Sequence, residues 1–169
     1  MTSGVEVERV ETLDPAAHAQ CDFAYPFDSA FAVSRAAQMI AILRVDGRVA
    51  GYVACLRDGD AGAVRRLEID RARRGQGLGR RLLAEARSWG AELGLSALVL
   101  ETLADHPASG RFFAHNGFVL HRAAQTLHWR LPLGDQKPLD KHAPEREGAA
   151  CSTSPLSSSP PPRACSAGR

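Results

Sequence analysis

Apolar and polar residues alternate at the start of the chain, Val5-Glu6-Val7-Glu8-Arg9-Val10, and a period of two predicts a half-buried strand. Asp14-Pro15 then predicts a short helix, because Asp can cap and Pro fits the first turn. Cys21 to Arg35 carries aromatics without a clear period and is broken by Pro26, so it is expected to be mostly loop. Two strands follow, Met39 to Val45 and Arg48 to Arg57. The Asp46-Gly47 between them is a strong two-residue hairpin signal. A second turn, Asp58-Gly59-Asp60-Ala61-Gly62, leads to a third strand at Ala63 to Asp70.

The period then changes to 3.6. Leu78, Leu82, Leu83, Ala86, Trp89, Gly90 and Leu93 fall on one helical face, and Gly94 can end that helix. The run from Ala97 to Leu103 predicts a strand buried on both faces, parallel to the one before the helix. A helix is expected around Pro107 to His115, stopped by Asn116-Gly117, and two last strands at Phe118 to Arg122 and Thr126 to Leu133. The fold class expected is α/β (α+β). It comprises one domain over residues 1–134, with a mixed, mostly antiparallel sheet holding a central parallel pair and helices on both faces. From about Asp135 the chain turns Pro- and Ser-rich and loses both periods, so residues 135–169 are expected to be a disordered tail.

Bulk properties narrow the function. A chain of 169 residues fits one core. The net charge of +2 is small, and the one basic knot, Arg65, Arg66, Arg71, Arg73, Arg74, Arg80 and Arg81, suits a local anion better than a nucleic-acid track. Cys21, Cys55, Cys151 and Cys165 have neither zinc-site spacing nor the density of a disulfide framework, so reduced structural thiols and no metal are expected. No apolar stretch reaches the roughly 20 residues of a membrane span, and the acidic N-terminus does not read as a signal peptide. The cytoplasm is the expected compartment, with no membrane partner.

Chemistry concentrates at Arg74-Gly75-Gln76-Gly77-Leu78-Gly79-Arg80, between a strand and the long helix. Glycines at a helix start let the main chain approach phosphate oxygens, and the flanking arginines add charge. Glycines also simply make tight strand-to-helix turns, and that alternative stands beside the first. A P-loop is excluded because no Gly-Lys-Ser/Thr follows. A dinucleotide fingerprint fails because its third glycine would fall at Arg80.

Arg74-x-x-Gly77-x-Gly79 resembles the acetyl-CoA signature of the GNAT superfamily of N-acetyltransferases. Arg111-Phe112-Phe113-Ala114-His115-Asn116-Gly117-Phe118 resembles that family's second signature, an aromatic-rich helix ending in Gly-Phe. The stretch from Leu98 to Thr102, with Pro107-Ala108-Ser109, is similar to the streptothricin acetyltransferase branch. The resemblance implies a single GNAT-like domain that takes acetyl-CoA as co-substrate. It implies cofactor contacts from Leu67, Ile69, Arg74, Gly75, Gln76, Gly77, Leu78, Gly79, Arg80, His106 and Phe113, with an oxyanion held by backbone N–H groups where the strand around Leu67 to Asp70 splays from its neighbour. Four positions depart from the family's pattern. Arg65 and Arg66 stand where the branch carries an acidic pair, His106 stands for an Asn, and Phe113 for a Tyr.

Transfer to an amine needs a neutral nucleophile, and a lysine-like amine with a reference pKa near 10.4 must lose a proton. Glu101 and Glu68, at the ends of the two parallel strands, are the candidate carboxylates. Glu101 ranks first because its strand is otherwise apolar, and burial would raise its pKa towards a base's range; Glu68 has arginines nearby to pair with. His115 is assigned to a helix end, Trp89 to the core, and Trp129 to a strand residue packed on a helix or at a dimer edge. The expected acceptor is a primary amine of a small molecule, attacked directly in a ternary complex by a monomer or homodimer. The alternatives are a protein or peptide acetyltransferase, or a GNAT-like acyl-CoA-binding module without catalysis.

Overall fold

A computed structural model describes residues 4–123 and 125–134; the tail expected at 135–169, with Cys151 and Cys165, lies outside them. In chain order the elements are β1 (Val5–Val10), α1 (Pro15–Ala19), α2 (Phe27–Ala36), β2 (Met39–Val45), β3 (Arg48–Asp58), β4 (Ala61–Ile69), a 3-10 turn at Arg71–Arg73, α3 (Leu78–Glu92), β5 (Ala97–Leu103), α4 (Pro107–His115), β6 (Val119–Ala123) and β7 (Thr126–Pro132). The seven strands form one sheet in the order β1-β2-β3-β4-β5-β7-β6. Only β4 and β5 pair in parallel, as expected; the other neighbours are antiparallel.

Strand alternation sorts the core onto two faces. Met39, Ala41, Leu43 and Val45 of β2 join Leu78, Leu82, Leu83, Ala86 and Trp89 of α3 in one cluster, which also takes in Phe113 of α4, Phe118 and Trp129. Ile40 and Ile42 point the other way, with Tyr52, Leu13 and Ala30, under α1 and α2. Each fully buried Leu removes apolar surface worth about 1.5–3 kcal/mol, so the α3 face carries much of the fold's stability. Trp129 packs on α4, where a Cβ on Gly110 would lie 3.2 Å from its ring, and its Nε1 donates to Thr102 Oγ1 at 2.9 Å. No helix among the described residues is long and apolar enough to cross a membrane. Cys21 and Cys55 are free, and burial pushes the Cys55 thiol up to about 12, as suits a structural thiol.

Three expectations are corrected. Cys21 to Arg35 is not mostly loop, since α2 starts directly after Pro26, which serves as its N-cap. Its apolar positions Phe27, Ala30 and Phe31 keep helical spacing, but the next on that face is Ser34, which is buried because its hydroxyl donates to Ala30 O at 2.8 Å. The turn before β4 is shorter than expected, for Asp58 already pairs with Ala61. Gly62 is a strand residue whose missing side chain makes room for Trp89 and Leu98, 2.8 and 2.9 Å from where a Cβ would sit. Finally, β5 is buried only in its first half: Ala97, Leu98 and Leu100 are buried, while Glu101 and Leu103 are exposed.

Gly51 ties the fold to the site. It pairs with Ile69 across β3 and β4, and a Cβ there would lie 2.5 Å from Ile69 Cδ1 and 2.7 Å from the carbonyl oxygen of Glu68. Backbone cannot yield as a side-chain tip can. Gly51→Ala is therefore expected to cost about 1–3 kcal/mol in urea unfolding and to lower activity by displacing β4; unchanged stability would mean that the two strands tolerate a wider gap.

Candidate active site

Pairing between β4 and β5 is confined to Ala61–Ala97, Gly62–Leu98 and Ala63–Val99. Beyond it β4 stays paired with β3 as far as Ile69, and β5 with β7 as far as Leu103. The sheet therefore parts between them, and the peptide groups of β4 that face β5 after Ala63 have no strand partner there. A β-bulge adds Arg65 to β4, because pairing steps from Ala54–Arg66 to Cys55–Val64.

On the α3 side, the Gly loop lies beside the far end of β4. Arg74 Nε donates to Ile69 O at 3.2 Å and ties the loop to that strand end. Gly75 and Gly77 have φ of +78° and +75°, and no protein atom lies within 4 Å of a Cβ built on either. Gly77 is the N-cap of α3 and offers no side-chain cap, so the first turn of a 15-residue helix presents backbone donors and its positive end to open space. A pyrophosphate fits that setting, with Arg80 and Gln76 exposed beside it. Gly79 is a glycine for another reason, since a Cβ would sit 2.9 Å from the Phe112 ring, where α3 meets α4. The side chains of Leu78, Ile69 and Phe113 are buried in the α3-side core, and Leu67 packs against it half-buried. These positions can therefore serve a ligand chiefly through their backbone. His106 is exposed at the N-cap of α4. His115 is in the last turn of α4, as assigned, but the side-chain cap there comes from Asn116, whose Nδ2 donates to Phe112 O at 2.8 Å.

On the opposite face lies Glu68, 5% exposed. Its Oε1 accepts from the Tyr52 hydroxyl at 3.0 Å and its Oε2 from the backbone N–H of Ala24 at 2.9 Å. Burial first, and the Glu68 charge second, push the Tyr52 phenol well above its ordinary range, so it remains a proton donor to the carboxylate. Arg66 Nε stands 3.9 Å from Glu68 Oε1, and the Arg66 guanidinium carbon lies 3.8 Å from the ring centre of Tyr25. Glu101 is placed otherwise. Its expected burial is overturned: the side chain is 60% exposed and its Oε1 lies 3.2 Å from His128 Nδ1, across the β5–β7 pair.

Sequence reasoning did not single out Tyr52, Tyr25 or His18. The signal for Tyr52 was the hairpin register, which sets it directly opposite Glu68. His18 is buried among Phe23, Phe27 and Tyr52, beside a cavity of about 100 Å³ that Asp14 and Arg44 also line. Its Nε2 has no hydrogen-bond partner among the described residues. Burial lowers its pKa, against the smaller opposing pull of Glu68. A depressed histidine pKa means that the unfolded chain binds the proton more readily, so stability present above the unfolded value near 6.5 is lost as pH falls through it. We expect His18→Phe, which fills the same aromatic niche, to flatten the decline in unfolding free energy between about pH 7 and 5. A decline as steep as the wild type's would assign it to other groups.

Among solved structures, the chain is similar to an enzyme assigned as a streptothricin acetyltransferase from Bacillus anthracis, in complex with acetyl coenzyme A. Identity is 22% over 57% of this chain and 62% of that one, with a TM-score of 0.54. It is also similar to the ribosomal-protein-S18-alanine N-acetyltransferase of Escherichia coli, at 19% identity over 80% and 97% of the two chains and a TM-score of 0.65. A nourseothricin acetyltransferase matches at 23% identity over 57% and 65%, with a TM-score of 0.52. The chain thus spans less than two thirds of the streptothricin and nourseothricin enzymes but nearly all of the S18-alanine enzyme. At these identities the likeness carries the fold. The family model described as Acetyltransferase (GNAT) family matches residues 6–118, and the parted β4–β5 pair with an uncapped Gly loop beside it lies within that span, so the chain belongs to the GNAT acetyltransferases, enzymes that use acetyl-CoA as co-substrate.

Proposed function

We propose that this chain transfers the acetyl group of acetyl-CoA to a primary amine of a small molecule, by direct attack in a ternary complex. The observation that carries the reading is Glu68, a buried carboxylate on the part of β4 that has left β5, on the sheet face opposite the Gly loop. A carboxylate has about four acceptor positions, and Tyr52 and Ala24 fill one on each oxygen. One acceptor position on each oxygen is left for the N–H of an acceptor. In the reaction the amine nitrogen bonds to the thioester carbon, the C–S bond breaks and one proton leaves the nitrogen; Glu68 is the group to receive it. The backbone N–H groups of β4 around Leu67 to Ile69 and the Gly loop at Arg74 to Arg80 supply oxyanion and pyrophosphate contacts. With Phe113 in the core and no hydroxyl on it, the thiolate leaves without a proton from that position; a thiol pKa near 8.5 makes this tolerable. Glu101, exposed beside His128, suits a counter-ion for an incoming ammonium better than a base.

A second reading, a peptide N-terminus as acceptor, is favoured by the near-complete coverage of the S18-alanine enzyme. Release of free thiol from acetyl-CoA, followed across a panel of small amines and short peptides, tests both. Turnover of small amines supports the first reading and turnover of peptides alone the second. Absence of turnover while CoA still binds would leave a binding module.

A further inference from the structure

Arg66 is a guanidinium held under a ring with too few acceptors. Its side chain is 15% exposed. Nη2 donates to Ser29 Oγ at a long 3.3 Å, Glu68 Oε1 is 3.9 Å from Nε, beyond hydrogen-bond reach, and the buried Nε has no hydrogen-bond partner among the described residues. A guanidinium has five N–H donors and stays charged at every accessible pH. Leaving the buried Nε–H dry costs free energy that the Tyr25 ring only partly offsets. Glu68 cannot turn to fill them, since both of its oxygens are already held by Tyr52 and Ala24. What fits the open donors is an oxygen anion from outside the chain.

The two charged groups are two residues apart on one strand, on the face that carries α1 and α2. A carboxylate with acceptor positions unfilled and a guanidinium with donors unfilled, 3.9 Å apart at Oε1 and Nε, complement a molecule whose amine and carboxylate are equally close. Resting on the acetyltransferase reading above, we infer that the acceptor is an amino acid or another short amino carboxylate, with its amine at Glu68 and its carboxylate on Arg66. Arg66 is then a specificity residue, and Tyr25, 44% exposed over its guanidinium, covers the bound carboxylate. A cationic acceptor with no anionic group gains nothing at Arg66 and is repelled by it.

The test uses the full chain and matched acceptors, amino acids against their carboxamides and their decarboxylated amines, with thiol release from acetyl-CoA as readout. The wild type is expected to prefer the best amino acid over its carboxamide by roughly 10–100-fold in kcat/KM, the range of a charge-assisted contact. Arg66→Gln is expected to remove that preference by raising KM for the acid while leaving the carboxamide within about threefold, and Arg66→Lys to restore part of it. Equal turnover of the acid and its carboxamide by the wild type, which needs no folded variant, overturns the inference. So does an equal loss on both substrates in Arg66→Gln. If neutral or cationic amines are acetylated and amino carboxylates are not, the inference falls while the acetyltransferase reading stands. If no amine of any class is acetylated although CoA binds, both fall.

Discussion

Glu68→Gln is expected to lower kcat for acetyl transfer by about 10²–10³-fold, with the deficit shrinking as pH rises and the free acceptor amine becomes abundant. The size follows from the role: a glutamine keeps the shape but cannot take a proton from the attacking nitrogen. Its structural cost is separable. The two oxygens of Glu68 accept from different donors, the Tyr52 hydroxyl and the Ala24 N–H, whereas a glutamine has one oxygen and an NH₂ that must face the other donor. That mismatch should cost about 1–3 kcal/mol of stability, measurable by urea unfolding and distinct from the rate. Tyr52→Phe supplies the control, because it removes one hydrogen bond and leaves the carboxylate. A Tyr52→Phe enzyme that keeps most of its kcat, beside a Glu68→Gln enzyme that loses it, assigns the rate to the carboxylate itself. Glu101→Gln should change kcat less than about threefold and act mainly on KM. Wild-type kcat in Glu68→Gln with a collapsed Glu101→Gln would reverse the assignment.

The burial of these two carboxylates is where sequence reasoning and structure part. Reading β5 as buried throughout placed Glu101 in an apolar wall, but alternation sends Leu98 and Leu100 onto the α3 face and Glu101 onto the opposite one, where the cluster under α1 and α2 includes no residue of β5. A one-dimensional pattern sees that Glu101 follows four apolar residues, Ala97 to Leu100, and cannot see which face of the strand is left uncovered. The reverse error concerns the burial of Glu68. Arginines at 65 and 66 made a surface pairing plausible, whereas alternation on β4 sends Glu68 onto the face under α1 and α2, against Tyr52. The helix that completes this cover, α2, was itself missed, because its apolar stripe includes a serine satisfied by its own backbone.

The backbone frame was legible for a simpler reason. Asp46-Gly47 specifies a tight hairpin, with Asp46 at φ +51° and Gly47 at +78°. The stripe from Leu78 to Trp89 can be buried on only one side, so α3 had to lie across a sheet. The Gly loop was legible as a place but not in its parts. Gly75 and Gly77 share the sequence character of Gly79, yet the first two meet empty space and the third an aromatic ring. The left-handed backbone of the first two and the packing of α4 on α3 at the third distinguish them.

That distinction sets up the second large effect, in which Gly77→Glu abolishes CoA binding while the fold survives. Gly77 has φ +75°, a conformation that costs a side-chain-bearing residue about 1–2 kcal/mol. Nothing lies within 4 Å of its Cβ position, so no clash adds to that strain. A negative charge at the start of α3 also interacts favourably with the helix dipole, by about 0.3–1 kcal/mol, which offsets part of the strain. The variant should therefore unfold near the wild-type temperature. The carboxylate instead occupies the place where the pyrophosphate meets the helix donors, and it repels that anion. The dissociation constant for CoA is expected to rise by at least about 100-fold, the equivalent of some 2.7 kcal/mol. Gly77→Ala carries the strain without the charge and should weaken binding far less; Gly79→Ala, which presses on Phe112 from inside the helix contact, should lower stability more than affinity. Calorimetry of CoA against the three folded variants separates the cases. Undiminished binding to Gly77→Glu would remove the pyrophosphate from this helix start and leave its glycines with a turn-making role alone.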